Sequence, residues 1–442
     1  MIKKSDLFRV LREQNFWYKE SDFTYINRNQ YLNQIKTHLN TKSILVLQGP
    51  RRSGKTVLLK LFIHDIMKKE DRFSILYVNL EDYRLVPYYS LELLEKIYDV
   101  FKTRINPNGK TFYLIDEIQN IKGFEHFLRT KYDNEENIKF IITGSNSKLL
   151  SKELASLLTG RTLKFEVLPF SFKEYLDYHN IQIDNFSYYA LEEKEHEIKN
   201  LFNRFVREGA IPEYLDNPIK ERLEEYFESI LLKDIIERYK LRNVKLMKDL
   251  GIYLLSNVSS LTSYNSLSKT FDVSINTIKD YLIYLETAYL FFRVKRFSFS
   301  YKNHIKAPAK LYCIDNGLAN LVSFKFSENR GKLFENLVFL ELNREKFEIY
   351  YHRDKTECDF ILKDKLEIFA CIQVTGNMSN RHTKEREIRG LKNALKEFNL
   401  KKGLILTEDV YDNIRIDDFT IFVRPLWFWL LNKEKTLQNP QK

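Results

Sequence analysis

ILVLQGPRRSGKTVLLKLF, residues 44–62, decides how the chain is read. An apolar run rich in Ile, Leu and Val stops at Gly49, and a second apolar run resumes at Val57. Between them, GPRRSGKT fits the pattern G-x-x-x-x-G-K-[ST] at every specified position. The pattern predicts a buried strand, a tight loop and the first turn of a helix. Gly49 and Gly54 allow the backbone a close approach to an anion. The run Gly49, Pro50, Arg51, Arg52, Ser53, Gly54, Lys55, Thr56 and Val57 is the expected phosphate cradle, because inward amides and a helix N-terminus favour negative charge. Lys55 is long enough to reach β- and γ-phosphates, and Thr56 offers a hydroxyl to Mg²⁺.

The second half of such a site is expected in TFYLIDE, Thr111 to Glu117. Phe112, Tyr113, Leu114 and Ile115 read as a fully buried strand with two carboxylates at its C-terminal end, where open parallel sheets place their ligands. Asp116 is read as part of the Mg²⁺ shell and Glu117 as the group that orients and polarises the attacking water. An Asp-Glu pair can simply end a strand in solvent, but after a phosphate loop the catalytic reading fits the geometry the loop requires. The strand IKFIITGSN ends in Ser145 and Asn146, and Asn146 is expected to face the γ-phosphate. ILYVNLED, Ile75 to Asp82, is a further strand lying in sequence between the loop and the acidic strand, which points to the additional-strand class. No N-K-x-D guanine signature occurs, so the expected nucleotide is ATP.

At 442 residues the chain calls for two or three domains. Lys plus Arg number 71 against 60 Asp plus Glu, a net charge of +11 that permits a nucleic-acid partner without demanding one. Hydrophobic residues at 44% supply ample core material. Three cysteines without a C-x-x-C pair argue against a disulfide framework or zinc knuckle and for reduced core residues. The opening MIKKSDLFRVLREQNFW has no apolar signal-peptide region, and no stretch approaches a membrane span. A cytoplasmic protein without a membrane partner is expected.

Taken in order, RNQYLNQIKTHL from Arg28 has helical period and reads either as a helix against adenine or as a plain packing helix. After Asn146, SKLLSKELASLLTGR closes on Arg161, whose guanidinium reads as a stabiliser of transition-state charge in its own or a neighbouring subunit, or as a surface arginine. TLKFEVLPFSFKEYL predicts a strand, a junction at Pro169 and a helix. Charged helical segments continue to about Met247 and read as a lid.

From Leu250 to Tyr301 the rhythm is helix, short helix near Leu267–Phe271, a turn at Asp272 and Val273, and a third helix capped by Ser274. Ile278, Leu282 and Leu285 are expected inside, with Asn276, Thr277, Lys279 and Asp280 outside. A two-stranded ribbon, LFFRVKRFSFSYK, completes a winged helix-turn-helix pattern. Arg293, Lys295, Arg296, Lys302, Lys306 and Lys310 occur with no acid between them, interleaved with Phe297, Phe299 and Tyr301, and suit a wing gripping the phosphates of double-stranded DNA. Such modules also bind proteins, and Asp280 counts against DNA.

From Ala307, KLYCIDNGL, the helix GKLFENLVFLELNRE, three strands, the helix KEREIRGLKNALKEF and the strand GLILT make an α/β sandwich. Glu335, Asp359 and Gln373 occupy the marked places of a metal-dependent nuclease of restriction-endonuclease type. Thr375 stands where the lysine of that pattern belongs, so a nuclease-shaped but inactive domain is expected.

With R-x-x-Y-L at Arg28, GPRRSGKT, YLIDE, TGSN, GR at Arg161, PFSFKEYL, EGAIPEYL, LKDII, KLYCIDNGL and GKLFENLV in view, nearly the whole chain resembles a prokaryotic group of AAA-superfamily P-loop ATPases. Their C-terminal domain of unknown function has a restriction-endonuclease-like core. The resemblance implies an α/β chain with ATP and Mg²⁺ as cofactors and Lys55, Thr56, Asp116 and Glu117 in the roles above. The expected plan is an ATPase core over residues 1–168, a helical lid over 169–247, a winged helix over 248–303, a restriction-endonuclease-like domain over 304–432 and a tail over 433–442. The expected activity is ATP hydrolysis driving a DNA-associated switch or motor. The alternatives are a protein-directed regulatory ATPase and an ATP-gated nuclease, and a homo-oligomer is expected if Arg161 acts across subunits.

Overall fold

The computed structural model describes residues 2–19, 24–144, 157–183, 192–298, 300, 307–321 and 330–437. The chain divides into two compact units, Met1–Leu168 and Pro169–Lys442.

In the first unit, α1 (Lys4–Gln14) and α2 (Asn29–Lys36) lead into β1 (Ile44–Gln48), α3 (Lys55–Met67), β2 (Ile75–Asn79) and α4 (Leu91–Arg104). β3 (Thr111–Asp116), α5 (Phe124–Asn134), β4 (Ile138–Gly144) and β5 (Thr162–Glu166) complete it. The five strands form one sheet in the order β2-β3-β4-β1-β5, and every pairing is parallel. Strand side chains alternate between faces, and both faces are apolar. Leu45, Leu47, Phe112, Leu114 and Ile141 pack with Leu58 and Phe62 of α3 and Tyr31 and Ile35 of α2. Val46, Ile115, Ile142 and Phe140 pack on the other face with α1, α4 and α5. Burying each such side chain contributes about 1.5–3 kcal/mol, which fixes the register.

The strand that separates the phosphate-loop strand from the acid-bearing strand is β4, with Val46 and Ile115 both opposite Ile142. β2, which precedes β3 in sequence, lies at the sheet edge instead. Side chains at and just past the end of α1 cover that edge. Asn15 donates to Tyr77 O and accepts from Tyr77 N at 2.8 and 2.7 Å. Trp17 donates to Ile75 O at 2.6 Å, and Gln14 accepts from Asn79 N at 2.8 Å. Three side chains thereby satisfy backbone groups that an exposed edge leaves open.

The second unit opens with α6 (Phe172–Tyr178), whose start is fixed by a capping box between Ser171 and Glu174. α7 (Glu195–Glu208), one turn at Pro212–Leu215 and α8 (Lys220–Ser229) come next. The LKDII motif lies in a π-helical stretch, Ile230–Ile236, that continues α8. Within EGAIPEYL, just past the end of α7, Gly209 has φ +78°, and a Cβ there would lie 1.9 Å from Asp315 Oδ1. Buried Asp315 accepts from Ala210 N at 2.7 Å and Gly317 N at 2.8 Å, which ties the helical block to the IDNGL turn.

α9 (Val244–Ser256), β6 (Ser260–Thr262), α10 (Tyr264–Phe271), α11 (Ile275–Thr287), β7 (Phe291–Arg296) and β8 (Ala309–Cys313) lie beyond. Asp272 turns the chain with φ +50°, and Ser274 caps α11 by accepting from Thr277 N at 3.1 Å. Ile278, Leu282 and Leu285 are buried. The partner of β7 differs from expectation. It is β8, paired antiparallel with Phe292 opposite Tyr312 and Arg293 opposite Leu311; residues 299 and 301–303 of the expected ribbon lie outside the described residues. β8 also pairs antiparallel with β6.

α12 (Asn316–Leu321), α13 (Arg330–Arg344), β9 (Glu348–Arg353), β10 (Glu357–Asp364), β11 (Glu367–Val374), α14 (Arg381–Glu397) and β12 (Lys402–Thr407) come next. β13 (Asp412–Ile416), β14 (Phe419–Pro425) and α15 (Leu426–Leu437) extend the sandwich past the strand GLILT. β7 pairs in parallel with β9, so the strands around α10 and α11 and the C-terminal strands form one nine-stranded sheet in the order β13-β14-β12-β11-β10-β9-β7-β8-β6. The expected boundary between residues 303 and 304 lies in sequence between β7 and β8, which are neighbours in that sheet. Cys313, Cys358 and Cys371 are buried and free.

Candidate functional site

The site lies at the C-terminal ends of β1 and β3, where β1 runs into the phosphate loop and α3 begins at Lys55. Gly49 is a glycine for a steric reason: its φ is +152°, and a Cβ would meet Val167 O at 2.3 Å. Lys55 is buried, and its Nζ donates to Gly49 O at 3.1 Å and Pro50 O at 2.6 Å, closing the loop on itself. Ser53 Oγ and Gln48 Oε1 are buried polar atoms without a hydrogen-bond partner among the described residues. The Ser53 hydroxyl, left open in a loop of this kind, can donate to a ligand rich in acceptor oxygens.

Asp116, 1% exposed, ends β3 between several partners. Thr143 donates its hydroxyl to Asp116 Oδ1, and Tyr77 donates to Oδ2 at 3.3 Å. Burial pushes the Asp116 carboxyl above its ordinary range, opposed by the nearby Thr143 and Thr56 hydroxyls and by Lys55. Among the described residues no cluster of three or more His, Cys, Asp or Glu side chains could hold a metal by itself. One hydroxyl and one carboxylate suit an Mg²⁺ that arrives with phosphate oxygens and keeps its waters.

Glu117 sits in the left-handed region at φ +57°. Its N–H donates to Thr143 Oγ1 at 2.9 Å, and Gln119 donates its amide to the Glu117 carboxylate. A glutamate held in this conformation costs of order 1–3 kcal/mol, a kind of strain that clusters at working sites. Glu81, just beyond β2, forms a third nearby carboxylate: burial and the charges of Glu117 and Asp116 raise its pKa, against Arg51 and Lys55. An open groove of about 380 Å³ runs beside it, lined by Tyr77, Asn79, Glu81 and Asp82.

Sequence reasoning missed Thr143, Tyr77 and Glu81. The signal for Thr143 was a lone hydroxyl at the end of the run IKFIIT; for Glu81, its place after a strand parallel to β3. It also missed what Arg28 does. Arg28 is 1% exposed and donates from Nη1 to Ser53 O at 2.7 Å and from Nη2 to Leu168 O at 2.9 Å. The start of α2 thereby braces the loop.

Arg161 is not brought to the phosphate loop in its own chain. Its carbonyl accepts from Ile44 N at 2.8 Å, at the start of β1, whereas the loop leaves the other end. A five-residue strand at ~3.3 Å per residue separates the two by about 16 Å. Its side chain instead pairs with Asp133 at 3.1 Å. Asn146 and Ser145 lie outside the described residues.

In the second unit, two of the six expected wing bases are committed elsewhere. Arg293 forms an ion pair with Glu286, with Nη2 to Oε2 at 2.6 Å, and donates to the Tyr264 hydroxyl. Lys310 is buried, and its Nζ lies 3.0 Å from Glu335, 2.7 Å from Glu357 and 2.8 Å from Asp359. Lys295 is exposed; Lys302, Lys306, Phe299 and Tyr301 lie outside the described residues. Glu335, Asp359 and Gln373 do converge: Gln373 accepts from Asp359 N at 3.2 Å and donates to Glu387. Thr375 lies just past the end of β11, its N–H donating to Leu406 O at 2.9 Å.

A family model described as an AAA domain matches residues 41–176. Models for two domains of unknown function, DUF8612 and DUF4143, match residues 199–329 and 330–429. An uncharacterized protein of Methanocaldococcus jannaschii, MJ1544, is 35% identical over 419 residues, covering 90% of each chain. An uncharacterized protein of Haemophilus influenzae is 30% identical over 417 residues, covering 91% of this chain and 98% of its own. Among solved structures, the Walker-type ATPase PABY2304 of Pyrococcus abyssi is similar at 16% identity with a TM-score of 0.41, covering 67% of this chain and 96% of that one. Among the described residues no helix is long and apolar enough to cross a membrane. The chain belongs to the family of these uncharacterized archaeal and bacterial proteins, with an AAA-type P-loop ATPase domain toward its N-terminus.

Proposed function

We propose that the protein binds ATP with Mg²⁺ in the phosphate loop and hydrolyses it. The observation that carries this reading is the meeting of Thr56, Asp116 and Glu117 around one point beside the loop, with Thr143 bonded to both carboxylate residues. The loop amides from Arg51 to Val57 take the phosphate oxygens, and Lys55 exchanges its contacts with Gly49 O and Pro50 O for the β- and γ-phosphates. Thr56 and Asp116 would hold Mg²⁺, which would supply positive charge to the phosphates. Glu117 accepts a hydrogen bond from the attacking water and aligns it, its own position set by Gln119 and by its N–H on Thr143. Asn146 joins the γ-phosphate contacts, and Arg161 acts on the site of a neighbouring copy.

In this reading, turnover drives a DNA-associated switch or motor. Its support is the helix–strand–helix–helix–strand–strand order from Val244 to Cys313, which is that of a winged helix-turn-helix, with Lys279 and Lys295 exposed. The C-terminal sandwich is taken as restriction-endonuclease-like in shape. A second reading, a regulatory ATPase directed at a protein, is favoured by a specific observation. The outward face of α11 exposes Ile275 and Ile283, while Arg293 and Lys310 are engaged internally. Phosphate backbones reward free cations, and proteins reward exposed apolar residues.

ATP turnover by wild type, Lys55→Ala and Glu117→Gln, with and without duplex DNA at two salt concentrations, tests both. Turnover lost in both variants supports the site; turnover retained in either overturns it. Stimulation by DNA that fades with salt supports the first role, and turnover indifferent to DNA supports the second.

A further inference from the structure

One side chain, Arg28, holds both the phosphate loop and the last residue of the first unit, and Tyr31 holds that residue as well. Ser53 lies in the loop, and its carbonyl accepts from Arg28 Nη1 at 2.7 Å. The other amino group of that guanidinium, Nη2, donates to Leu168 O at 2.9 Å. The plane of the guanidinium fixes the two donors relative to each other, so the two carbonyls are held at a set separation. Arg28 is buried, with the Tyr31 ring 4.6 Å from its guanidinium carbon, and the Tyr31 hydroxyl accepts from Leu168 N at 3.1 Å. Both backbone polar groups of Leu168 are thus bonded to the Arg28–Tyr31 pair. One residue earlier, Val167 donates to Gln48 O at 2.8 Å, and its carbonyl is the group that leaves no room for a side chain at Gly49. Pro169 then begins the second unit.

We propose that Arg28 and Tyr31 are positioning residues that couple nucleotide occupancy of the loop to the chain at Leu168. The proposal rests on the ATP-binding reading above and adds a route from that site to a residue far downstream in sequence. A phosphate drawing the loop amides inward moves the Ser53 peptide. The guanidinium fork carries that displacement to the Leu168 carbonyl, and Tyr31 keeps the Leu168 N–H in step. Lysine could not do this, because one ammonium on a flexible stem does not bind two carbonyls at a set separation. The pair also accounts for the R-x-x-Y spacing: at three residues apart, the two side chains meet at the N-terminal turn of α2.

Hydrogen exchange of the full-length protein, free and with Mg²⁺ and a slowly hydrolysed ATP analogue, tests the coupling. A peptide over residues 49–57 reports binding, and one over residues 165–172 reports the response at the Leu168 amide. In wild type both peptides slow, the second by about tenfold, as the hydrogen bond from Leu168 N to the Tyr31 hydroxyl opens less often. Tyr31→Phe keeps the ring against Arg28 and removes only the acceptor. It is expected to keep the response at residues 49–57 and lose that at residues 165–172. Arg28→Lys is also expected to lose the response at residues 165–172, and if it does not fold, Tyr31→Phe carries the test. A wild-type loop that responds while residues 165–172 do not, or a Tyr31→Phe protein with the full response at both, overturns the coupling alone. A wild-type loop that does not respond to the analogue overturns the ATP reading and the coupling with it.

Discussion

The Nζ of Lys310 lies 2.8 Å from Oδ1 of Asp359, inside the C-terminal sheet. The same ammonium reaches Glu335 and Glu357, so one cation from β8 serves three carboxylates from α13 and β10. Burial opposes its charge, but Asp359, Glu335 and Glu357 outweigh that and hold Lys310 protonated well above the usual range. The ammonium occupies the place among these acids where a divalent cation would have to sit. Supercoiled plasmid is therefore expected to stay intact with Mg²⁺ or Mn²⁺; cleavage that Asp359→Ala abolishes would overturn this. Lys310→Ala leaves the buried Glu335 and Asp359 and the partly exposed Glu357 without their cation and is expected to cost about 3–5 kcal/mol, read as a lower urea midpoint.

Thr143 bonds both members of the acidic pair. Thr143→Val keeps the shape, removes the hydroxyl, and leaves Asp116 short of a donor and the Glu117 N–H short of an acceptor. Turnover is expected to fall about 10- to 100-fold, the usual effect of losing a group that orients a metal ligand. Thr143→Ser should recover most of it, since the hydroxyl returns.

At Gly49 the substitution to Ala places a methyl 2.3 Å from Val167 O at a φ of +152°. The loop or β5 has to shift. Nucleotide affinity, measured with a fluorescent ATP analogue, is expected to drop by about tenfold or more, with about 1–3 kcal/mol of stability lost.

Asp315 gives the second unit a pH dependence of definite sign. Burial raises its carboxyl from 3.8 to about 7 despite the backbone donors Ala210, Gly317 and Leu318. Between those values the folded chain holds a proton that the unfolded chain has released, so stability falls as pH rises toward about 7 and levels off above it. Urea midpoints at about pH 5 and about pH 8 measure the slope. Asp315→Asn should flatten it, while costing about 1–3 kcal/mol at the lower pH through a lost acceptor.

Arg161 stands at the far end of the sheet from the loop, so Arg161→Ala is expected to leave ATP affinity unchanged. Losing its ion pair with Asp133 costs within about 0.2–1 kcal/mol, because both groups are partly exposed. Turnover measured across protein concentrations decides its role: a loss confined to concentrations at which the chain self-associates assigns the arginine to a neighbour's site.

The phosphate loop was legible because it is local. GPRRSGKT carries its turn, its cation and its hydroxyl in eight consecutive residues, flanked by a strand and a helix that the apolar runs announce. Asp116 and Glu117 were legible for the same reason. Thr143 was not, because its importance depends on β4 lying beside β3, a sheet order that hydrophobic runs do not encode. Arg28 acts across more than a hundred residues, on Leu168, and nothing near RNQYL points there. Lys310 was misread for a related reason. In sequence it ends a run of bases, whereas in the structure its strand is covered on both sides by β6 and β7 and its side chain turns among acids.

The β7–β9 pairing bears on how this architecture is passed on. Two separately defined domains of unknown function meet between residues 329 and 330, yet strands from both sides of that seam share hydrogen bonds, Lys295 opposite Tyr350 and Arg296 opposite Tyr351. A gene fragment ending at the seam would encode a sheet with an unprotected margin, and so would the fragment beginning there. Recombination that trades either half for an unrelated one is penalised by exposed, self-adhesive backbone. Each half depends on the other to close its margin of the sheet.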